Sequence, residues 1–322
     1  MKKLAFFIFV TTFFQGFAQD TLKICSFNIQ FLGHFQTREN AVLADVVKNN
    51  DIVVVQEMVA APVDGFYPDG TPYKADKESG AFVAEMTKRG FSYWMSTEDT
   101  GPTKNHTPTT ASEWWIVFYK NSKVVPDTNR CYGFVAQPLV ANTPYDRVPY
   151  DRVPYAFPFK AVHGKSNFTL VSVHLHPDDG KSDVIARKAE LDALVSWMTT
   201  VKESNKDFFV LGDCNIYDQK EFVEYKTKNI TSLNEACVST NSLQYGDVAK
   251  GEPYDHVFYS SYSTEDLVKN SFKVVDLKAE ILKLVPAGTY QLEPYVHDDF
   301  RTKFSDHLPV TFQLVTGKDT DL

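Results

Sequence analysis

Positive charge is what this 322-residue chain is short of: 33 Lys and Arg stand against 41 Asp and Glu, a formal net charge of −8. An acidic molecule is a poor non-specific coat for nucleic acid, which excludes a basic DNA-coating module. It leaves room for a local positive field from a bound divalent cation and a few Arg or Lys. Cysteine is scarce as well. The four present, Cys25, Cys131, Cys214 and Cys237, match no zinc-ligand spacing. Cys25 and Cys214 fall inside expected core strands and suit small buried hydrophobes, while Cys131 and Cys237 could pair. Beyond the N-terminus no apolar run is long enough to span a bilayer, and no Gly/Ser linker divides the chain. A disordered chain is excluded too, because 43% hydrophobic and 14% aromatic residues are enough for a sizeable core.

Lys2 and Lys3, an apolar run from Leu4 to Phe14, and the small residues Gly16 and Ala18 have the pattern of a secretory signal peptide over residues 1–18. The expected product is therefore secreted or periplasmic, cut after Ala18 and without a transmembrane segment. A single domain is expected over residues 20–316, followed by a short tail over 317–322.

Strand and helix signals alternate along that domain. β-Branched and aromatic runs predict strands at Leu22–Ile29, Asp51–Gln56, Trp114–Tyr119, Phe168–His174, Phe208–Leu211, Val257–Tyr259 and Leu308–Leu314. Thr37 is the expected N-cap of a helix carrying Ala41, Val42, Val46 and Val47. Glu78–Arg89 is a second helix, closed by Gly90. Ser182 is the expected cap of a third, with Val184, Lys188, Leu191, Leu194, Val195, Met198 and Val201 at helical spacing. Ser96–Ser112 and Ala136–Pro158 carry no such pattern, and the second holds a tandem YDRVP copy over Tyr145–Pro154. Loops of that length are commonly functional.

The informative feature lies where the strands stop. SFNIQ (Ser26–Gln30), VVVQEM (Val53–Met58), VSVHLH (Val171–His176), LGDCN (Leu211–Asn215) and SDHLPV (Ser305–Val310) each join a hydrophobic run to acid, amide or imidazole groups, and YDHVFYS (Tyr254–Ser260) adds a carboxylate. Burying such groups costs several kcal/mol unless they are paired or bind a metal. Six of them at strand ends predict one convergent site.

In this order the segments resemble the endonuclease/exonuclease/phosphatase superfamily, from about Leu22 to Leu314. The resemblance implies a four-layered α/β sandwich, two facing mixed β-sheets flanked by helices. It implies metal-dependent hydrolysis of phosphate esters, with Mg²⁺ as the cofactor and Ca²⁺ or Mn²⁺ as alternatives. In-line attack of water on phosphorus needs a hard cation held by oxygens, a base for the water and donors to the phosphate. By resemblance Glu57 holds the metal with Asn28, and Asp306 binds it or orients its neighbours. His307 is the base, with Asp255 on its other nitrogen. Asp213 and Asn215 contact water and phosphate, and alternation along a strand would put both on one side with Cys214 behind. His174 contacts phosphate and protonates the leaving oxygen; His176, before Pro177, is a rim histidine.

Within the superfamily the chain is most similar to secreted, pancreatic-type deoxyribonuclease, which implies DNA as the substrate and no stable protein partner. Glu113, opening Glu-Trp-Trp-Ile-Val-Phe-Tyr, fits that family's partner of the second histidine. Arg152-Val153-Pro154 fits its phosphate-gripping arginine, and Arg147-Val148-Pro149 is a displaced copy. Ala111 departs from the pattern, which has a DNA-contacting tyrosine there. Inositol-polyphosphate phosphatases have Trp-Cys-Asp-Arg where this chain has Pro253-Tyr254-Asp255-His256, and abasic-site nucleases work inside cells. Secreted sphingomyelinases share the Glu, both His and the Asp-x-Asn, and are the main rival. They need exposed aromatics to enter a membrane, whereas Trp114 and Trp115 lie in a strand where at least one should be core. A non-catalytic binding domain on this scaffold would have lost one of Glu57, Asp213, Asn215, Asp255 or His307, and none is lost.

Overall fold

The computed structural model describes residues 20–99, 112–135, 150–202, 206–225 and 230–317. In chain order its strands are β1 Thr21–Leu32, β2 Ile52–Met58, β3 Gly65–Phe66, β4 Pro72–Tyr73, β5 Ser92–Met95, β6 Trp114–Tyr119, β7 Val124–Pro126, β8 Gly133–Phe134, β9 Tyr155–Ala161, β10 Asn167–His174, β11 Phe208–Asp213, β12 Ile230–Ser232, β13 Asp255–Ser260, β14 Lys273–Val274 and β15 Val310–Val315. The α-helices are α1 Asn40–Val47, α2 Lys77–Lys88, α3 Lys181–Thr200, α4 Gln219–Tyr225, α5 Leu277–Leu284 and α6 His297–Lys303. One sheet runs β14-β15-β1-β2-β6-β5 and the other β12-β13-β11-β10-β9-β7, with β8 paired to β9. Both are mixed: β1/β2 and β10/β11 are parallel, and the other pairs are antiparallel.

Four layers follow from which way alternate side chains point. Along β2, Ile52 and Val54 face a core shared with Trp115, Val117, Phe157, Leu170, Phe209, Leu211 and Val257, which is the seam between the two sheets. Val53 and Val55 face the other way, onto Leu43, Val47, Phe82, Met86 and Ile281 of α1, α2 and α5. On the far side, Val171, Val173, Val210 and Phe258 pack against Leu191, Leu194, Trp197 and Met198 of α3. The seam is mostly aromatic and aliphatic, so truncating a residue such as Phe209 to Ala should cost about 3–5 kcal/mol. Trp114 and Trp115 are both buried, one in each core of the first sheet. Among the described residues no helix is long and apolar enough to cross a membrane.

Three local expectations are corrected. Thr37 does not cap α1: Glu39 precedes the helix without a side-chain cap, and the Thr37 hydroxyl donates instead to the Thr302 carbonyl at 3.4 Å. Gly180, not Ser182, precedes α3, and its buried face is rotated. Arg187 and Glu190 are buried in its first half where Val184 and Lys188 were expected inside, while Leu191, Leu194 and Met198 are core as expected. Residues 155–158 belong to β9 rather than to an irregular stretch. Pro158 fits there because its carbonyl accepts from Asp127 N at 2.9 Å, on the side where β7 ends, so its missing N–H takes no bond from β10.

Candidate active site

Strand register alone lines up most of the polar strand ends. In the second sheet His174 pairs with Asp213, and Asp213 with Asp255, so three functional side chains stand abreast on β10, β11 and β13. In the first sheet Asn28 pairs with Gln56 across the parallel β1/β2 ladder. The β2/β6 ladder slips between Val55 and Met58, and at the slip Glu57 adopts φ +61°. That left-handed turn is costly for a non-glycine residue. Gly212 has to be glycine: a Cβ there would lie 2.1 Å from the Val173 carbonyl oxygen. His307 enters one turn before β15, bridged to Asn241.

These groups meet on one oxygen. Asp213 Oδ2 lies 3.4 Å from His307 Nε2 and 3.6 Å from His174 Nε2, and it accepts from Asn28 Nδ2 at 2.9 Å. Asn28 Nδ2 also donates to Glu57 Oε1 at 2.8 Å, which ties the two sheets together across the site. Glu57 Oε2 accepts from Phe31 N at 2.9 Å. Each imidazole is held from behind. His307 Nδ1 meets Asp255 Oδ2 at 2.9 Å, and His174 Nδ1 meets Glu113 Oε2 at 3.3 Å. Glu113 Oε2 accepts from Glu57 N at 2.7 Å as well, so the metal-ligand candidate and the histidine orienter are linked through one carboxylate. Donor atoms of Glu57, His174 and Asp213 all lie within 4.8 Å of one another.

Solved structures with this architecture are numerous. A Bacteroides vulgatus endonuclease/exonuclease/phosphatase aligns with TM-score 0.54 at 17% identity, over 92% of this chain and 100% of that one. The human Nocturnin catalytic domain with bound sulfate anion aligns with TM-score 0.52 at 13% identity, over 92% and 97%. D. rerio TDP2 complexed with a single-strand DNA product aligns with TM-score 0.51 at 13% identity, over 92% and 99%. The chain has the endonuclease/exonuclease/phosphatase fold. No protein-family model and no curated protein matches it in sequence.

In this endonuclease/exonuclease/phosphatase fold the site is buried and crowded with charge. Burial opposes a charge on His307, yet Asp255 and then Asp213 outweigh it and hold the imidazole well above its ordinary value. His174 is raised too: burial and Arg152 oppose its charge, and Glu113 with Asp213 prevails. Burial also opposes the charge on Asp213, but both histidines, Asn215 N and Asn28 favour it, and the carboxyl ends below the usual range. Asp306 goes the other way. Burial, with Glu57 and Asp213 repelling it, pushes its carboxyl up to about 6 despite His307.

Not every expected residue takes the expected place. Asn215 lies beyond the end of β11 at φ +48°, so strand alternation does not aim it; its amide donates to the Leu175 carbonyl at 2.9 Å and its N–H to Asp213 Oδ1 at 2.9 Å. Cys214 packs behind, in the core under α3. Asn28 uses its amide group on two carboxylates and its Oδ1 on Gln30 N at 2.8 Å, which makes it a brace between ligands. Arg152 is 9% exposed, with Nε 3.7 Å from Glu113 Oε1 and Nη1 3.1 Å from Asp151, so it stands behind Glu113 and does not reach outward. Arg147 and Ala111 lie outside the described residues. His176 is at the rim, its Nε2 3.1 Å from Asp183 Oδ1.

Gln30 was missed. It donates to Asp306 Oδ2 and sits two residues after Asn28, a period-two signal present in SFNIQ. Glu190 was missed as well, with no local signal. From α3 it accepts from Asp151 N at 2.6 Å and His176 N at 2.7 Å, stapling the loops that carry Arg152 and follow His174.

Proposed function

We propose that this protein is an exported, divalent-metal-dependent phosphodiesterase, a deoxyribonuclease-type endonuclease that hydrolyses DNA by in-line water attack. The observation that carries the reading is the shared Asp213 oxygen, 3.4 and 3.6 Å from the Nε2 atoms of two histidines that are each oriented by a carboxylate. A base and an acid around one anionic centre is what phosphodiester hydrolysis asks for. The DNA product in the D. rerio TDP2 structure supports nucleic acid as the substrate. Trp114 and Trp115 are buried and so are not the exposed aromatics that the sphingomyelinase alternative needs to enter a bilayer.

The donor set fits a hard cation. Glu57, Asp213 and Asp306 offer carboxylate oxygens around one space, and among the described residues the buried Asp306 Oδ1 has no hydrogen-bond partner. Glu57 and Asp213 would hold the ion, with the neighbouring Asp306 carboxyl completing the set and His174 Nε2 left free for proton transfer. When bound it supplies charge neutralisation to the phosphate oxygens. The chain's own groups do the rest. His307, with Nδ1–H donated to Asp255, accepts the water proton at Nε2 once Asp213 and Asp306 are neutralised. His174, kept protonated by Glu113, donates from Nε2 to the leaving oxygen. Asn28 keeps Glu57 and Asp213 apart yet aligned.

The test is to incubate purified protein with supercoiled plasmid and, separately, sphingomyelin vesicles, with Mg²⁺ or with EDTA. Metal-dependent nicking is expected. Choline-phosphate release with intact plasmid would overturn the substrate assignment. Export rests on residues 1–18, and N-terminal sequencing of secreted protein should begin at Gln19.

A further inference from the structure

Beside the site, β1 ends in a way that packing does not explain. Gln30 and Phe31 both adopt φ +52°, a region that a bulky L-residue rarely enters. Strain of this kind concentrates where a backbone is held for a purpose. Here it does two things. It turns the Phe31 N–H onto Glu57 Oε2, and it sends the Phe31 ring out to the rim, where it stays half-buried. A tight turn follows, closed by His34 N to the Phe31 carbonyl at 2.8 Å. Three rings are thereby gathered: Phe31 and His34 at 6.1 Å between centroids, Phe31 and Phe35 at 6.0 Å, His34 and Phe35 at 5.3 Å. His34 is exposed and Phe35 half-buried.

Two guanidinium groups back this cluster. Arg38 lies 5.2 Å and Arg301 5.6 Å from the Phe35 ring centre. Arg38 is buried and donates to the carbonyls of Gln30, Phe304 and Arg301, so it fixes the turn and adds positive potential. Arg301 is partly exposed and paired with the exposed Asp298 at 2.8 Å. The surface is thus aromatic and cationic, and it is continuous with the Glu57 centre through a single backbone N–H.

We propose that Phe31, His34 and Phe35 form a stacking shelf for an unpaired nucleobase next to the scissile phosphate. The inference rests on the phosphodiesterase reading and narrows its substrate to nucleic acid with an accessible base face, a single strand or a frayed end. Rings offer a base a sequence-tolerant face, and the partly exposed Arg301 beside them suits a neighbouring phosphate. A lipid surface would be met better by aliphatic side chains than by an exposed imidazole whose neighbouring ring carries a guanidinium.

The test measures binding of a labelled five-nucleotide strand by fluorescence anisotropy, against the same strand with an abasic spacer at its centre. A His307→Ala background stops turnover, and the same background carries His34→Ala/Phe35→Ala for comparison. The base-bearing strand should bind about tenfold more tightly than the abasic one, and the preference should fall to within about twofold in the combined variant. His34→Ala alone, at an exposed position, should lose part of the preference with an unchanged melting temperature, which guards against misfolding at Phe35. An equal preference with and without the two rings overturns the shelf, as does the absence of any preference. Loss of phosphatidylcholine-vesicle binding in the variant, with strand binding unchanged, overturns it in favour of a lipid face. Metal-dependent hydrolysis of a single-stranded oligonucleotide by the wild type reports the underlying reading separately: hydrolysis without base preference removes the shelf alone, and base preference without hydrolysis removes the enzyme assignment alone.

Discussion

His256 should make the fold acid-labile in a way that one substitution removes. Its ring lies near-parallel to those of Phe222 and Phe258, with centroids 5.4 Å from each, and Nδ1 lies 2.8 Å from Ser232 Oγ. Burial pushes the imidazole from an ordinary 6.5 down to about 3, against the opposing pull of the Pro253 carbonyl and Asp213. The folded state therefore keeps His256 neutral, while the unfolded chain takes up a proton below about 6.5. Stability from this group is complete above that value and drains away as pH falls toward 3. At about 1.4 kcal/mol per unit the full loss is at most roughly 5 kcal/mol, and about 2 kcal/mol of it should be gone by pH 5. His256→Phe keeps a flat ring in the slot but removes the titration. At pH 7 the variant should be weaker by about 1 kcal/mol, the hydrogen bond to Ser232. At pH 5 the order should reverse. Urea unfolding followed by tryptophan fluorescence at both pH values reads this directly. Parallel pH profiles for the two proteins would refute the reasoning. The consequence reaches the site, because the preceding residue on β13 is Asp255, on the opposite face of the strand.

Two further perturbations separate chemistry from structure. Asp255→Asn preserves shape but withdraws the carboxylate that raises His307; turnover should fall at least about 100-fold with the melting temperature nearly unchanged, and a small rate effect would remove Asp255 from the mechanism. Glu190→Ala leaves two partly buried N–H groups without their acceptor and should cost about 2–4 kcal/mol in urea at pH 5. Burial raises the Glu190 carboxyl from 4.5 to about 7, so wild-type protein loses stability as pH climbs through that window, and the gap to the variant should narrow by roughly 2 kcal/mol at pH 8.

The layered architecture was legible in the sequence because β-branched runs and helical periodicity report burial directly. A run such as Ile52–Val55 is satisfied only between a partner sheet and a helix layer, as Val54 on one face and Val55 on the other are. Polar strand ends were legible for the same reason, since a buried carboxylate needs a partner. What escaped is set by tertiary packing. Helix starts were misread where a loop contact took the hydroxyl, as at Thr37, or where no side chain caps at all, as at Gly180. Arg152 carries the charge of a phosphate ligand, and its guanidinium lies behind Glu113 and against Asp151, a placement that no spacing rule reveals. The left-handed turns at Glu57, Phe31 and Asn215 leave no mark in composition, because none of them is glycine.

Charge balance ties the acidic composition to the site. Glu57, Glu113, Asp213, Asp255 and Asp306 converge there, and the groups that can oppose them are Arg38, Arg152, His174 and His307. With His174 protonated and His307 neutral, as a base must be, two negative charges are left, the charge that one divalent cation carries. The proton that Asp306 holds up to about 6 is the metal-free substitute for that cation. Two results follow. Divalent affinity should rise about tenfold per pH unit up to roughly pH 6 and then level, because each bound ion must displace that proton. At pH 8, a divalent ion at about a hundred times its Kd should add about 2.7 kcal/mol, raising Tm by about 5 °C or more, while Na⁺ at equal ionic strength should not. Asp306→Asn should remove the pH dependence of binding and shrink the divalent Tm gain together. Calorimetric titration and thermal unfolding measure the two independently. A Tm gain that monovalent salt reproduces would mean that the carboxylates are simply screened, and the cation would then have no specific seat among them.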